Sequence, residues 1–202
     1  HLREDRRHIQ DADVYEMAGQ LSTRMNLEMA ATDEMLAIAC EVKPFWVCLV
    51  PEKRAELTTE GGLDVAGQVT SLKEYVYKLQ DSNIKVSLFI DPDDKQITAA
   101  IEYGADAIEL HTGAYCDLHA EGQFDARDDE LKRLTEMADF ANNLGLEVHA
   151  GHGLTYETVQ PIASLPQIVE LNIGHFLIGE SIFRGLKPAI HEMRRLMNVA
   201  RG

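Results

Sequence analysis

Apolar residues along this chain follow two alternating rhythms. Six short runs are dense in aliphatic and aromatic residues: RMNLEMA (24–30), FWVCLVP (45–51), KVSLFID (85–91), AIELHTG (107–113), EVHAGHG (147–153) and ELNIGHFLIG (170–179). They read as strands buried in a sheet. Other stretches place apolar residues every third or fourth position, the period of a helix with one face turned inward. Residues 11–22 offer Val14, Met17, Ala18 and Leu21, and the stretch opened by Thr32 offers Met35, Ile38, Ala39 and Val42. Residues 70–83 offer Leu72, Tyr75, Val76 and Leu79, and residues 94–104 offer Ile97, Ala100 and Ile101. Residues 128–144 use Leu131, Leu134, Met137, Ala138 and Ala141; residues 186–200 use Leu186, Ile190, Met193, Leu196 and Met197. Thr32 is placed to cap its helix, with Asp33 and Glu34 in the first turn, where carboxylates suit the dipole. Gly104 and Gly145 stand where two helices should stop.

Strands that alternate with helices make a parallel sheet covered by helices. An open doubly wound sheet and an eightfold barrel both meet that description. The G-x-G-x-x-G turn of dinucleotide folds is absent from the sequence, which removes one argument for the open sheet. Polar residues inside the strands favour the barrel. Side chains alternate along a strand, so Asn26 and Glu28 share a face of the first, Ser87 and Asp91 of the third, and Glu109 and His111 of the fourth. His152 closes the fifth strand and Asn172 lies in the sixth. In a barrel, inward residues at the carboxyl ends of the strands line the active site, so Glu28, Glu109 and His152 are expected to converge in one chamber beside His1. Glu28 and Glu109 each sit between apolar neighbours. A buried unpaired carboxylate costs several kcal/mol or takes a raised pKa, which suits general acid–base work.

Charge and composition narrow the partners. The 202 residues are enough for one substantial core, with 45% hydrophobic and 26% charged residues. A net charge of −15 argues against nucleic acid, and the longest apolar run is far too short to cross a membrane. Small anions remain compatible with a locally positive mouth, and Arg3, Arg6 and Arg7 crowd one end of the chain in HLREDRRH (1–8). Cys40, Cys48 and Cys116 form no C-x-x-C pair and read as reduced thiols of a cytoplasmic protein. His149 and His152 are three residues apart on a strand and point to opposite faces, so no metal site is expected; His119 and His191 read as surface residues. A nucleophile elbow G-x-S-x-G is missing. Glycine-rich AGHGLT (150–155) and NIGHFLIGES (172–181) can bring backbone N–H groups to a phosphate, in loops where barrels often bind one. The polar segment PEKRAELTTEGGLD (51–64), with Gly61 and Gly62 as hinges, reads as a lid or as a surface loop.

Taken in order, RMNLEMA, CLVPEKR, TTEGGLDVAG, VSLFID, IELHTG, AGHGLTY and ELNIGH resemble the pyridoxine 5′-phosphate synthase family of deoxyxylulose-dependent vitamin B6 biosynthesis. The resemblance runs from His1 to Gly202 and is loosest at 114–128. It implies a (β/α)8 TIM barrel, a homo-octamer in the cytoplasm, and no metal or organic cofactor. It implies a transferase-type ring-closing enzyme that condenses 1-deoxy-D-xylulose 5-phosphate with 3-amino-2-oxopropyl phosphate, releasing phosphate and water. His1 and Glu28 match proton acceptors of the family, His152 a proton donor, and Glu109 a residue that stabilises a transition state. Arg3, His8 and Thr58 match positions that bind the deoxyxylulose phosphate; Gly153, Gly174 and His175 match those that hold the aminoketone phosphate.

Family members carry a first strand, a first helix and most of a second strand before the position of His1. Residues 1–202 are therefore expected to be a single (β/α) barrel domain lacking those N-terminal elements, and the 202 residues alone are expected to be inactive and poorly soluble. Two other readings compete: another phosphate-binding barrel lyase or isomerase, and a truncated barrel subunit without catalysis.

Overall fold

In the central strands nearly every residue is buried, on both faces. The computed structural model describes residues 1–52, 61–67 and 71–202. They divide into two compact units, His1–Glu109 and Leu110–Gly202.

The first unit opens with helix α1 (Asp11–Gln20) and then repeats strand and helix: β1 (Asn26–Met29), α2 (Asp33–Val42), β2 (Trp46–Leu49), α3 (Ser71–Asp81), β3 (Lys85–Ile90), α4 (Asp94–Glu102) and β4 (Ala107–His111). β4 runs on into the second unit. The strands are parallel and neighbours follow chain order, β1-β2-β3-β4. In register, Leu27 lies beside Val47 and Val86, and Met29 beside Leu49 and Leu88, all buried on one face. One residue over, Glu28, Cys48 and Ser87 form a row on the other face. Further along that face, Val50 and Phe89 pack with Cys48. Thr32 caps α2 as expected, its hydroxyl oxygen accepting the Met35 N–H at 3.3 Å. Most of the helix faces also hold, with Met35, Ala39, Leu72, Val76, Leu79, Ile97 and Ala100 buried, but Ile101, expected inward, is exposed. α1 departs from expectation. Val14 is buried, but Met17, Ala18 and Leu21 are exposed, so the stripe expected to face inward is covered only at Val14.

The second unit adds α5 (Gly113–Ala120), α6 (Phe124–Asn143), β5 (Glu147–Gly151), α7 (Val159–Ala163), β6 (Ile168–Asn172), α8 (His175–Arg184) and α9 (Leu186–Arg201). Its strand order is again sequential, β4-β5-β6. The sixth strand was expected to reach 179, yet it ends at Asn172 and His175 begins a helix. A short apolar run fits a buried strand and a buried helix equally well, and Gly174 marks where the chain changes course. α5 and α7 are likewise helices that the apolar spacing did not announce. A small core of Val159, Ala163 and Met193 is packed by Tyr156, Leu171, Phe176, Leu177 and Leu196.

Sequential parallel strands, each followed by helix, distinguish this fold from a doubly wound sheet, whose strand order reverses at a switch point. Neither unit reverses, so the α/β fold is TIM-barrel-like.

Candidate active site

The polar row of the first unit is anchored by its first residue. The backbone N–H of Leu2 donates to the Glu28 carbonyl of β1 at 3.2 Å, which lays the start of the chain alongside that strand. His1 is thereby brought between two carboxylates. Its Nδ1 lies 3.0 Å from Glu28 Oε1 and its Nε2 lies 2.9 Å from Glu52 Oε1. Burial works against a charged ring, but hydrogen bonds and charge from the two carboxylates outweigh it and raise the His1 pKa to about 9. Glu28 was expected as a buried carboxylate without a partner; it is half-buried and paired with His1. Burial opposes the charged form of Glu52, yet His1 and the Glu4 backbone N–H, at 3.0 Å, hold its carboxyl below the usual range.

Glu109 sits farther along the same unit, 5% exposed on β4. The Cys48 thiol donates to its Oε2 at 3.4 Å. Burial first, and then the charges of Glu109 and Glu28, push the Cys48 thiol well above its ordinary pKa, so it stays a neutral donor. Arg3 is 2% exposed, its Nε 3.5 Å from Asp5 Oδ1. His8 is exposed. Thr58 and most of the expected lid lie outside the described residues. The lid's expected hinge at Gly62 has a packing role: a Cβ there would stand 2.2 Å from the Asp91 backbone nitrogen.

The second unit builds its own polar corner where β5 ends. His152 has φ +79°, a left-handed backbone uncommon for a residue with a side chain. Two carbonyls hold the turn: the Thr112 hydroxyl donates to Gly151 O at 2.8 Å and to His152 O at 2.6 Å. The His152 ring lies 5.0 Å from that of His111, centroid to centroid. Gly153 has φ +77°, and a Cβ there would be 3.0 Å from that of Cys116. Only glycine fits this position without a shift, which leaves its backbone open to an incoming oxyanion. Gly174 and His175 are exposed at the N-terminus of α8, where unpaired N–H groups and the dipole favour an anion. His149 is fully buried against Glu147 at 3.1 Å. Among the described residues no three His, Cys, Asp or Glu side chains are placed to share a metal ion.

Sequence reasoning missed Glu52 and the bond of Cys48. Glu52 lay inside the quoted CLVPEKR motif, which was the available signal. For Cys48 the signal is strand register, which sets it between Glu28 and Ser87.

Comparison with known proteins gives the chain its relatives. The family model of the pyridoxal phosphate biosynthesis protein PdxJ matches residues 1–199. A protein of Roseobacter denitrificans named pyridoxine 5′-phosphate synthase is 64% identical over 201 residues, covering 100% of this chain and 81% of its own length. One of the same name from Aliivibrio fischeri is 58% identical and covered over 82% of its length. Among solved structures, 3-keto-L-gulonate-6-phosphate decarboxylase of Vibrio cholerae superposes with a TM-score of 0.60 at 11% identity, over 95% of this chain and 80% of that one. The Amycolatopsis orientalis BexX/CysO complex gives a TM-score of 0.60 at 17% identity, over 98% and 76%. At such identities the structural likeness speaks for the fold alone. No helix among the described residues is long and apolar enough to cross a membrane.

Proposed function

Because the chain belongs to the family of the pyridoxal phosphate biosynthesis protein PdxJ, we propose that it catalyses the pyridoxine 5′-phosphate synthase reaction. In that reaction 1-deoxy-D-xylulose 5-phosphate condenses with 3-amino-2-oxopropyl phosphate, the pyridine ring closes, and phosphate and water leave. The observation that carries this reading is 64% identity across the whole chain to a relative bearing that name.

The chemistry asks for several protons to move. The amine must lose a proton as it attacks a ketone, a hydroxyl must gain one to leave as water, and a C–H proton must go before phosphate is expelled. A single base cannot serve all of these steps. We assign His1 and Glu28 as proton acceptors, His152 as proton donor, and Glu109 as the carboxylate that stabilises charge in the transition state. The His1–Glu28 contact supports the first pair, since a proton can pass directly between partners 3.0 Å apart. The Cys48 bond supports Glu109, since a thiol donor fixes the carboxylate without neutralising it. Arg3, His8 and Thr58 are assigned to the deoxyxylulose phosphate. Gly153, Gly174 and His175 are assigned to the aminoketone phosphate, which an open backbone and a helix N-terminus suit. The reading calls for no metal and no organic cofactor. It extends to a cytoplasmic homo-octamer, on family resemblance. It also treats residues 1–202 as belonging to one (β/α) barrel domain, on family resemblance.

The test is incubation of the purified protein, expressed from its whole reading frame rather than as residues 1–202 alone, with the two phosphates, following fluorescent pyridoxine 5′-phosphate and released phosphate. Glu28→Gln is expected to lower turnover by about a hundredfold or more while its circular dichroism stays unchanged. Near-normal turnover would remove Glu28 from the mechanism, and no product from the unmodified protein would sink the reaction itself.

A further inference from the structure

We propose that Glu52 is a positioning residue for this reaction: a second carboxylate that grips the His1 ring from the side opposite Glu28. What His1 does rests on the synthase reading; the grip rests on geometry. Both ring nitrogens face a carboxylate oxygen, Nδ1 that of Glu28 at 3.0 Å and Nε2 that of Glu52 at 2.9 Å. A neutral imidazole has one N–H, so one of the two carboxylates would confront a lone pair. Two N–H donors satisfy both, and the ring is therefore an imidazolium at rest. The raised pKa of His1 agrees.

The two carboxylates are not equivalent. The Glu52 side chain is 5% exposed and that of Glu28 is 34% exposed. Glu52 is also fixed by its other oxygen, which accepts the Glu4 backbone N–H at 3.0 Å. Among the described residues, the charged groups around the ring come from three segments. Glu28 stands on β1, Glu52 follows β2, and the opening segment brings Glu4 and Arg3, whose positive charge favours ionised Glu52 while Asp5 faces Arg3. Glu52 thus holds Nε2–H in place, and the proton on Nδ1, toward half-open Glu28, is the one in play. When that proton passes to Glu28 or to substrate, the electron pair stays on Nδ1, which then accepts a proton in turn. His1 gives before it takes, and Glu52 fixes which nitrogen does both.

The discriminating variants are Glu52→Gln, which keeps size and removes charge, and Glu52→Asp, which keeps charge and shortens the reach. In Glu52→Gln, the His1 ring titrated by NMR should have its midpoint lowered by about one pH unit or more. The corresponding limb of the kcat/KM pH profile should move with it. kcat should fall about tenfold or more, with KM for either phosphate within about twofold of the parent. Glu52→Asp should recover most of both effects. An unmoved His1 midpoint in Glu52→Gln overturns the proposal, as does an unchanged kcat. If Glu52→Gln does not fold, Glu52→Ala, which also removes the charge, carries the titration, and a midpoint equal to the parent's overturns it. The titration needs no turnover. A shifted midpoint in a protein that makes no pyridoxine 5′-phosphate rejects the reaction and keeps the grip; product with an unmoved midpoint does the reverse.

Discussion

An imidazole held between two carboxylates ties folding to pH. The His1 pKa rises from 6.5 to about 9 in the folded chain. Its stabilisation is therefore fully present below pH 6.5 and drains away as pH climbs through 9, an effect of at most about 3 kcal/mol. Glu52 acts with the opposite sign: its carboxyl is held below 4.5, so its share is present above that pH and is lost as acid protonates it. Thermal melts across a pH series should show Tm falling between pH 6.5 and 9, and Glu52→Gln should flatten that slope. Equal slopes in the two proteins would mean that the pair does not contribute to folding. At this scale the sequence was only partly readable. Glu28, Glu109 and His152 stood out because charge or imidazole interrupts an apolar strand. Glu52 did not, because in PEKR it looks like any loop carboxylate. Cys48 looked like an inert core thiol, since its bond to Glu109 depends on strand register, which periodicity does not encode.

Elements were more legible than residue pairs, because a buried stripe leaves its period in the chain. Five of the strand runs were recovered with their ends trimmed, and α2, α3, α4, α6 and α9 stand where the spacing predicts them. The failures share a cause. NIGHFLIG mixes glycines and apolar residues with no period that separates β6 from α8, while α5 and α7, of 8 and 5 residues, are too short to show one. α2 offers a simple check on the local logic. Thr32→Ala removes the side-chain oxygen that accepts the Met35 N–H and should cost about 1 kcal/mol in denaturant melts. A change near zero would show that water replaces the cap.

For the molecule as a whole, the second unit carries a surface its own core does not use. α8 packs with Phe176 and Leu177, but Ile178, Ile182 and Phe183 are 60%, 79% and 86% exposed. Leu186 at the start of α9 is exposed as well. Contiguous apolar surface of this kind promotes self-association. The 202-residue chain should light-scatter and sediment as large species despite its charge of −15, and Ile182→Lys with Phe183→Glu should shift it toward smaller, more soluble ones. Identical sedimentation before and after would clear α8 of blame.

The left-handed corner at His152 has a last implication. Glycine would sit at φ +79° with less strain, and asparagine would tolerate it better than most side chains. The backbone at that bend therefore gives no reason for an imidazole. A glycine replacement there is expected to leave a steadier backbone and a missing reagent, so resistance to heat would be a misleading guide to which versions of this chain still work.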